Sequence, residues 1–421
     1  MSSTLADLSI ATFAIHEVVE GTRTGRDGST LVVDVPQLAV GARSDALAEV
    51  TVEVVRPDDP VRIANVLDVV LPDVGADDLD GTFPGLLDHG RREWFPTGRI
   101  HRVDGVVVLS VCDWRAAGAP DADELPDAYV DMAGPGVDRN PWAGDVAVVV
   151  RCVPAPGVPV ADADAAVRRA SLLVARALAS TTLGESPDRI DLCRHPSTVE
   201  AAPDLPALAA VLQIASEGPL VDTFRLGRAM GTFAPTVVDP REPLAGAIVS
   251  GAYDWPAVRN VTAVYQGSAL VRELLAGHGE RFRMAGLVLA PGYLDGADEK
   301  QRAASRTAEL LAELDADAAV CTTFSSGNSH TDTMLTIRAC EQRGIAAVGV
   351  LAETNGGLTD HVPEADCLVS TGNEDELVDA WTPERVIGTE GDARVGEQVP
   401  TWAYVGACVE TGDARLTAVP A

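Results

Sequence analysis

A chain of 421 residues is long enough for two domains, and its 46% content of hydrophobic residues is ample for large cores. Its 63 acidic residues outnumber its 32 basic residues, and the net charge of −31 argues against nucleic acids and anionic membranes as partners. The first residues lack the basic flank of a signal peptide, and no apolar run reaches the ~20 residues of a membrane span. The sequence therefore predicts a cytoplasmic protein without a membrane segment.

The seven cysteines are scattered and form no Cys-x-x-Cys pair, which is typical of buried free thiols in a reducing compartment. The seven histidines show neither His-x-His nor His-Glu-x-x-His spacing. Cys193 and His195 form a single near pair, which is too little for a zinc site. We therefore predict neither a metal nor a bound cofactor.

The first part of the chain is predicted to be rich in β-strands, because apolar runs of Val and Ile alternate with Gly, Pro and Asp turns. The predicted strands are Leu8–Glu20, Thr30–Val35, Ala48–Val55, Val103–Val111 and Asp145–Val153. The period then changes to that of an amphipathic helix over residues 161–182.

Four further elements are predicted before residue 240. They are a strand at Arg189–Cys193, a helix at Leu205–Ile214, and strands at Val221–Arg228 and Thr236–Val238. Together, residues 1–240 are predicted to form a β-rich α+β N-terminal domain.

Strand–helix repeats follow from Leu244 onwards. Strands are predicted at Ala247–Val249, Met284–Ala290, Ala318–Cys321, Ile345–Leu351 and Cys367–Ser370. Helices are predicted at Gly267–Leu275, Ala303–Leu314, Ser329–Arg343 and Glu374–Trp381. This alternation predicts a doubly wound, mostly parallel α/β domain over residues 241–390. Residues 391–421 are left as a C-terminal extension without an assigned role.

The strand–helix–strand unit at 318–353 carries the first candidate site. A small polar loop joins its first strand to its helix, with Ser329 as the predicted N-cap. Ligands bind at the carboxyl ends of parallel strands, and a helix N-terminus favours an anion. We therefore predict that this loop and the first helical turn bind substrate, although a plain connecting loop with a capped helix stays open. The residues are Ser325, Ser326, Gly327, Asn328 and Asp332.

A second candidate segment follows the predicted strand Ala247–Val249. Ser250 and Tyr253 are candidate catalytic residues, and Gly251, Asn260 and Thr262 are candidate substrate contacts. The alternative is a turn packed by its aromatic residues. No Gly-x-Ser-x-Gly or Gly-x-Gly-x-x-Gly motif is present, so neither a hydrolase triad nor a dinucleotide site is predicted.

The carboxylate of Glu353 follows the next strand and is the candidate acid or base. We predict that Glu353 and the loops beginning near Ser250 and Ser325 line one pocket.

Several short segments occur in a fixed order along the chain. They are Val55-Arg56-Pro57, Asp80-Gly81-Thr82-Phe83-Pro84-Gly85, Asp131-Met132-Ala133-Gly134-Pro135-Gly136, Val221-Asp222-Thr223-Phe224, Gly246-Ala247-Ile248-Val249-Ser250-Gly251, Gly327-Asn328 and Gly372-Asn373-Glu374. In this order and spacing, from about Leu8 to Gly388, the chain resembles the component B alpha and beta subunit precursors of glycine, sarcosine and betaine reductases. The related proline reductase precursor is similar as well.

The resemblance implies a specific chemistry. Family members are cut at a cysteine soon after the Ser-Gly pair that corresponds to Ser250-Gly251, and that cysteine becomes a pyruvoyl group. The pyruvoyl carbonyl takes the substrate amine as a Schiff base, and a selenocysteine-bearing partner subunit cleaves the C–N bond reductively. The imine withdraws electrons from that bond, so that a selenolate can attack the α-carbon.

This sequence departs from the family at the cleavage position. Ala252 and Tyr253 follow Ser250-Gly251, and the next cysteine is Cys321, in a predicted buried strand. Tyrosine cannot undergo the acyl shift and elimination that form a pyruvoyl group. Serine can, so Ser250 stays open as a substitute, although it precedes the cleavage position. We predict an uncleaved chain without a pyruvoyl group.

Two functions remain open from the sequence. The first is an enzyme subunit that holds a small-molecule substrate for a thiol- or selenol-bearing partner subunit. The second is a non-catalytic homologue that serves as a scaffold or small-ligand binding partner, because fold alone does not decide function. Assembly into a homo-oligomer is also open.

Overall fold

The computed structural model describes residues 7–76, 85, 97–112, 114, 128–215, 223–251, 256–257, 259–292, 294–324, 327–354, 367–388, 393–409 and 417–420. These residues form a mixed α/β structure. Its helices are α1 (Val35–Gly41), α2 (Val160–Ala179), α3 (Thr262–Gly267), α4 (Ala269–Gly277), α5 (Ala297–Glu313) and α6 (Asn328–Glu341). The helices predicted at 161–182, 267–275 and 329–343 are confirmed to within a few residues, the helix predicted at 303–314 begins earlier, at Ala297, and α1 and α3 were missed.

The largest sheet has seven strands. In spatial order they are β17 (Thr236–Val238), β19 (Arg283–Gly292), β14 (Ala207–Ala215), β20 (Ala318–Thr322), β21 (Ala346–Glu353), β22 (Cys367–Asn373) and β26 (Thr417–Pro420). The five middle strands run parallel, and β17 and β26 pair antiparallel at the two edges.

The order of the five parallel strands locates a topological switch point. The chain leaves β14 for β19 on one side, and then returns across β14 to β20 on the other side. Helices α5 and α6 pack on one face of the sheet, against Ala209 and Val211 of β14. Helix α4 packs on the opposite face, against Ala210 and Leu212. In doubly wound sheets the ligand crevice lies where the strand order reverses, which here is the carboxyl end of β14 beside β20.

Two predicted helices are wrong. Residues predicted as the helix Leu205–Ile214 form β14, whose central position buries side chains on both faces and removes the polar alternation of a strand. The predicted helix Glu374–Trp381 contains β23 (Leu377–Val378) instead, which pairs antiparallel with β25 (Val399–Pro400). In both cases tertiary packing overrides helix propensity.

The strand before Ser250 was predicted to belong to the doubly wound sheet, but it pairs elsewhere. β18 (Ile248–Val249) pairs antiparallel with β15 (Phe224–Arg225), which also pairs with β16 (Arg228–Ala229). It therefore lies outside the seven-stranded sheet. Because β14 precedes residue 240, that sheet draws on both sides of the predicted domain boundary, and the division into domains stays a prediction.

The strands predicted at Thr30–Val35, Ala48–Val55, Asp145–Val153 and Arg189–Cys193 are confirmed, whereas Leu8–Glu20 and Val103–Val111 each contain parts of two strands that belong to different sheets. The described part of the predicted strand Val221–Arg228 forms the β15–β16 hairpin instead. One sheet has the order β13 (Arg189–Cys193), β1 (Leu8–Ala14), β9 (Gly98–Asp104) and β8 (Asp73–Ala76). A second sheet has the order β5 (Leu47–Val55), β12 (Val146–Pro154), β10 (Val106–Val111) and β7 (Val66–Val70). A small third sheet joins β2 (Glu17–Glu20), β4 (Thr30–Val33) and β3 (Gly25–Asp27). Helix α2 packs in the core formed with β5, β10 and β12.

A buried arginine attaches residues near the end of the chain to this first part. β6 (Val61–Ile63) pairs with β11 (Val130–Asp131) and with β24 (Arg385–Ile387). The Arg62 guanidinium donates to both carboxylate oxygens of Asp131 at 2.7 and 2.8 Å, to the Tyr404 hydroxyl at 3.0 Å and to the Ala393 carbonyl at 2.7 Å. The predicted C-terminal extension thus includes residues that complete a buried ion pair.

Breaking this ion pair is expected to destabilise the fold strongly. Asp131→Ala leaves the Arg62 charge buried without its carboxylate, which costs about 3–5 kcal/mol of unfolding free energy. Glu273→Ala removes the carboxylate from an exposed pair with Arg281 and is expected to cost less than about 1 kcal/mol. Denaturant unfolding gives the loss of unfolding free energy in each variant. Similar losses in the two variants would show that the buried Arg62–Asp131 pair contributes no more than an exposed pair.

Candidate functional site

The side chain of Gln213 lies at the switch point and joins two strands to a helix. Its Oε1 accepts hydrogen bonds from the Thr323 hydroxyl at 2.8 Å and the Phe324 amide at 3.2 Å, beyond the end of β20. Its Nε2 donates to the carbonyl of Ser329 in α6 at 3.0 Å. Gly292 leaves room for this side chain, because a Cβ there would lie 2.6 Å from the Gln213 Cδ. The sequence reasoning missed Gln213 because it placed a helix there.

Helix α6 starts differently from the prediction. Gly327 is the N-cap, with φ of +62°, a backbone conformation that glycine adopts readily. Ser329, the predicted cap, is fully buried inside the first turn. Asn328 is also helical, and its Nδ2 donates to the Leu294 carbonyl at 3.1 Å. A glycine cap has no side chain to accept from the first amides of the helix, and no capping side chain is found among the described residues, so the N-terminus of α6 is suited to an anion.

Two hydroxyl groups one turn apart lie beside these amides. The Ser329 and Thr333 side chains are buried, and neither hydroxyl has a hydrogen-bond partner among the residues that the structure describes. Residues four apart in a helix share a face, so both hydroxyls lie on one side of α6. Buried polar groups without partners are uncommon in folded proteins and call for an explanation. A bound oxygen-rich group would supply the missing partners.

Asp332 and the single lysine of the chain form a buried ion pair near the same helix end. The Lys300 Nζ lies 2.8 Å from the Asp332 Oδ1 and 3.4 Å from the Asn328 carbonyl oxygen. The other carboxylate oxygen of Asp332 accepts from the Leu294 amide at 3.2 Å. These contacts fix α6 against α5 and the loop after β19. They support a positioning role for Asp332, and direct contact with substrate stays a prediction.

Ser250, Gly251 and Thr262 form a second group, next to β7. The Thr262 hydroxyl donates to the Asp68 Oδ2 at 2.6 Å and accepts from the Ser250 amide at 3.0 Å. The Gly251 amide donates to the Thr223 hydroxyl at 3.3 Å. Burial raises the pKa of the Asp68 carboxyl, against the opposing effects of Arg168 and the Thr262 hydrogen bonds.

The nearby candidates Ser250 and Asn260 are 3% exposed, so both side chains lie inside the fold. The described contacts of this group hold the start of α3 against β7.

Glu353 forms a third group at the end of β21. Its side chain is half-buried, and its Oε1 accepts from the Ser370 hydroxyl at 2.6 Å. Ala257 packs with Ala352 and Cys408, which links the segment after Ser250 to the end of β21.

The predicted residues Tyr253, Ser325 and Ser326 lie outside the described residues. The contacts of the remaining candidates fall into these three groups, and their convergence on one pocket stays a prediction.

Neither a grouped metal-ligand set nor a spanning helix is found in the described ranges. No three His, Cys, Asp or Glu side chains there are placed to hold a metal ion. No helix among the described residues is long and apolar enough to cross a membrane.

Comparisons with known proteins match most of the chain to one family. The family model of glycine/sarcosine/betaine reductase component B subunits matches residues 6–405. Sarcosine reductase complex component B subunit alpha of Peptoclostridium acidaminophilum is 28% identical over 391 residues, covering 90% of this chain and 89% of that protein.

Two further relatives carry related names. Glycine reductase complex component B subunits alpha and beta of Acetoanaerobium sticklandii are 26% identical over 391 residues, covering 90% of this chain and 88% of that protein. Betaine reductase complex component B subunit alpha of Peptoclostridium acidaminophilum is 25% identical over 408 residues, covering 90% and 87%. No solved structure matches this chain.

Removing the Gln213 amide is expected to loosen the start of α6. Gln213→Ala leaves the Thr323 hydroxyl, the Phe324 amide and the Ser329 carbonyl without this partner, at a cost of about 1–3 kcal/mol. Hydrogen exchange should accelerate in peptides that cover residues 322–333. Gln342→Ala, at the exposed end of the same helix, should leave these peptides unchanged. Unchanged exchange in Gln213→Ala would show that Gln213 does not hold the loop.

Proposed function

Because this chain belongs to the glycine/sarcosine/betaine reductase component B family, we propose that it is the substrate-binding subunit of a reductase complex and acts without chain cleavage. The partner in this proposal is a separate subunit that carries a thiol or selenol, and the compartment is the cytoplasm. The proposal has two parts, and each rests on its own observation. The first is that the substrate binds at the N-terminus of α6 through an anionic group, and the second is that the chain stays uncleaved.

The unpartnered hydroxyls of Ser329 and Thr333 are the observation that carries the substrate site. With the first amides of α6, they offer several donors to one oxygen-rich anionic group. A substrate carboxylate fits this chemistry. Gln213 acts as a positioning residue, because it holds the α6 entrance through the Ser329 carbonyl.

The residues present do not fit formation of a pyruvoyl group. The sequence has no cysteine between Cys193 and Cys321, and Cys321 is 1% exposed inside β20. Ser250, the open substitute, is buried and its amide is bonded to Thr262. The proposed reaction therefore involves no carbonyl group on this chain.

Without an imine, the substrate must carry its own activated leaving group. A quaternary ammonium carboxylate does so, because its nitrogen is already positive and leaves as a neutral amine. In the proposed step a partner selenolate or thiolate attacks the α-carbon, the new Se–C or S–C bond forms, and the C–N bond electrons leave with the amine. Of the relatives above, one is named as a betaine reductase component. For a primary or secondary amine substrate, Glu353 is the proposed proton donor to the leaving nitrogen.

A non-catalytic role is the second candidate, and the missing cysteine favours it. In that case the chain binds a small ligand or serves as a scaffold for its partner. The two candidates differ in turnover, since a scaffold binds the partner without releasing an amine.

The purified chain is expected to remain intact. Mass spectrometry should give one species of 43.9 kDa, allowing for loss of Met1. Hydroxylamine should leave no adduct on the peptide that covers residues 250–255, because no carbonyl forms there. Two fragments that sum to the chain, with a carbonyl-reactive terminus near residue 250, would refute the proposal of an uncleaved subunit.

Binding of glycine betaine should depend on the hydroxyl of Thr333. Calorimetric titration of Thr333→Val should show binding weaker by about ten- to a hundredfold, since a hydrogen bond to a charged group contributes about 1.5–3 kcal/mol. Thr336→Val is the matched control, because its hydroxyl already donates to the Asp332 carbonyl at 2.9 Å. Equal affinities for the two variants would place the carboxylate elsewhere.

A further inference from the structure

A cavity lies in the first part of the chain, and none of the candidate site residues lines it. It has a volume of about 960 Å³ and lies between the β3–β4 hairpin, α1 and the end of α2. Three arginines line it, namely Arg23, Arg26 and Arg176, together with one acidic residue, Asp27. The proposed reaction uses none of them.

The Arg26 side chain is buried beside Phe13 and two carboxylates, but its guanidinium still has N–H groups available to donate hydrogen bonds. Its side chain is 8% exposed, and its guanidinium carbon lies 5.2 Å from the centre of the Phe13 ring. The carboxylates of Glu185 and Asp188 lie 3.8 and 3.5 Å from its terminal nitrogens, beyond ordinary hydrogen-bond distance. Its buried Nε has no hydrogen-bond partner in the described part of the chain. A guanidinium in this state is suited to a further anion.

Arg23 is exposed and Arg176 is half-buried, and each adds positive charge to the cavity wall. Neither side chain forms an ion pair or hydrogen bond with any residue that the structure describes. The chain has 63 acidic residues for 32 basic ones, so carboxylates are plentiful as partners. Two arginines that stay unpaired beside a third, around one cavity, indicate a site for a negative group from outside the chain.

Hydroxyl groups after the end of α2 give another part of the cavity wall hydrogen-bond acceptors, in contrast to the donors of the arginines. The Ser180 and Thr181 hydroxyls donate to the carbonyls of Arg176 and Leu178, each at 2.7 Å. Toward the cavity these oxygens can therefore only accept. A helix C-terminus also favours positive or donating groups. This wall suits the hydroxyl or amino groups of a ligand.

We propose that this cavity binds a small organic anion, with its phosphate or carboxylate against the three arginines and its hydroxyl or amino groups against Ser180 and Thr181. The volume is within the range of small-molecule sites, roughly 300–1,000 Å³. The cavity shares no residue with the proposed substrate site, so it is a separate binding site on the same chain.

Calorimetric titration of the full chain with ribose 5-phosphate, ribose and citrate, at constant ionic strength, tests the proposal. Ribose 5-phosphate or citrate should bind, and uncharged ribose should not. Binding of the first indicates recognition of a phosphate, and binding of the second indicates recognition of carboxylates. Arg23→Gln and Arg176→Gln should each weaken binding about tenfold without lowering the melting temperature, because both side chains lack protein partners. Arg302→Gln, an exposed arginine of α5, should bind like the unmodified chain.

Three outcomes would overturn the site. One is no binding of either anion at millimolar concentration, and another is an equal loss in Arg302→Gln, which would indicate unspecific attraction. The third is that hexaglutamate binds and depends on Arg176 while both small anions do not, which would assign the cavity to an acidic peptide segment.

Discussion

The hydrogen bonds of the Gln213 amide join β14, the loop after β20 and the start of α6 at one point. The chain passes from β14 to β19 on one side and returns to β20 on the other side of β14. In doubly wound sheets such a reversal leaves a crevice at the carboxyl ends of the strands. Without a rigid partner on β14, the loop after β20 would be free to shift relative to the α6 amides. The geometry of the proposed anion site therefore depends on one buried amide side chain.

Buried ion pairs hold together segments that lie apart in the sequence. The Lys300–Asp332 pair fixes α6 against α5, and the Arg62–Asp131 pair holds residues near Tyr404 against the first part of the chain. Each pair carries additional hydrogen bonds, which offset the cost of removing the charges from water. Burial, followed by the nearby Asp131 charge, also raises the pKa of the Tyr404 phenol, so it stays protonated in this cluster.

The sequence predicted most strands and long helices correctly, because their hydrophobic periods match the side on which each element is buried. The period was uninformative for β14, since a central parallel strand is apolar on both faces and its Ala and Leu residues also favour helices. The missed Gln213 followed from that error. The loop before α6 was predicted to follow a strand, and the described residues Thr323 and Phe324 do follow the end of β20. The ion pair of Asp332 and the cap of α6 depend on contacts that the sequence pattern does not show. The arginine cavity could not be predicted, because its three arginines come from two separate parts of the chain.

Amine release measures the central claim most directly. Glycine betaine would be incubated with the uncleaved chain, a selenol- or thiol-bearing reductase subunit and a reductant, and trimethylamine would be quantified alongside the intact mass of the chain. The account predicts trimethylamine release that requires both proteins while the chain stays at full length. Release by the partner alone, release only after the chain is cleaved, or binding of the partner with no amine formed would each contradict it.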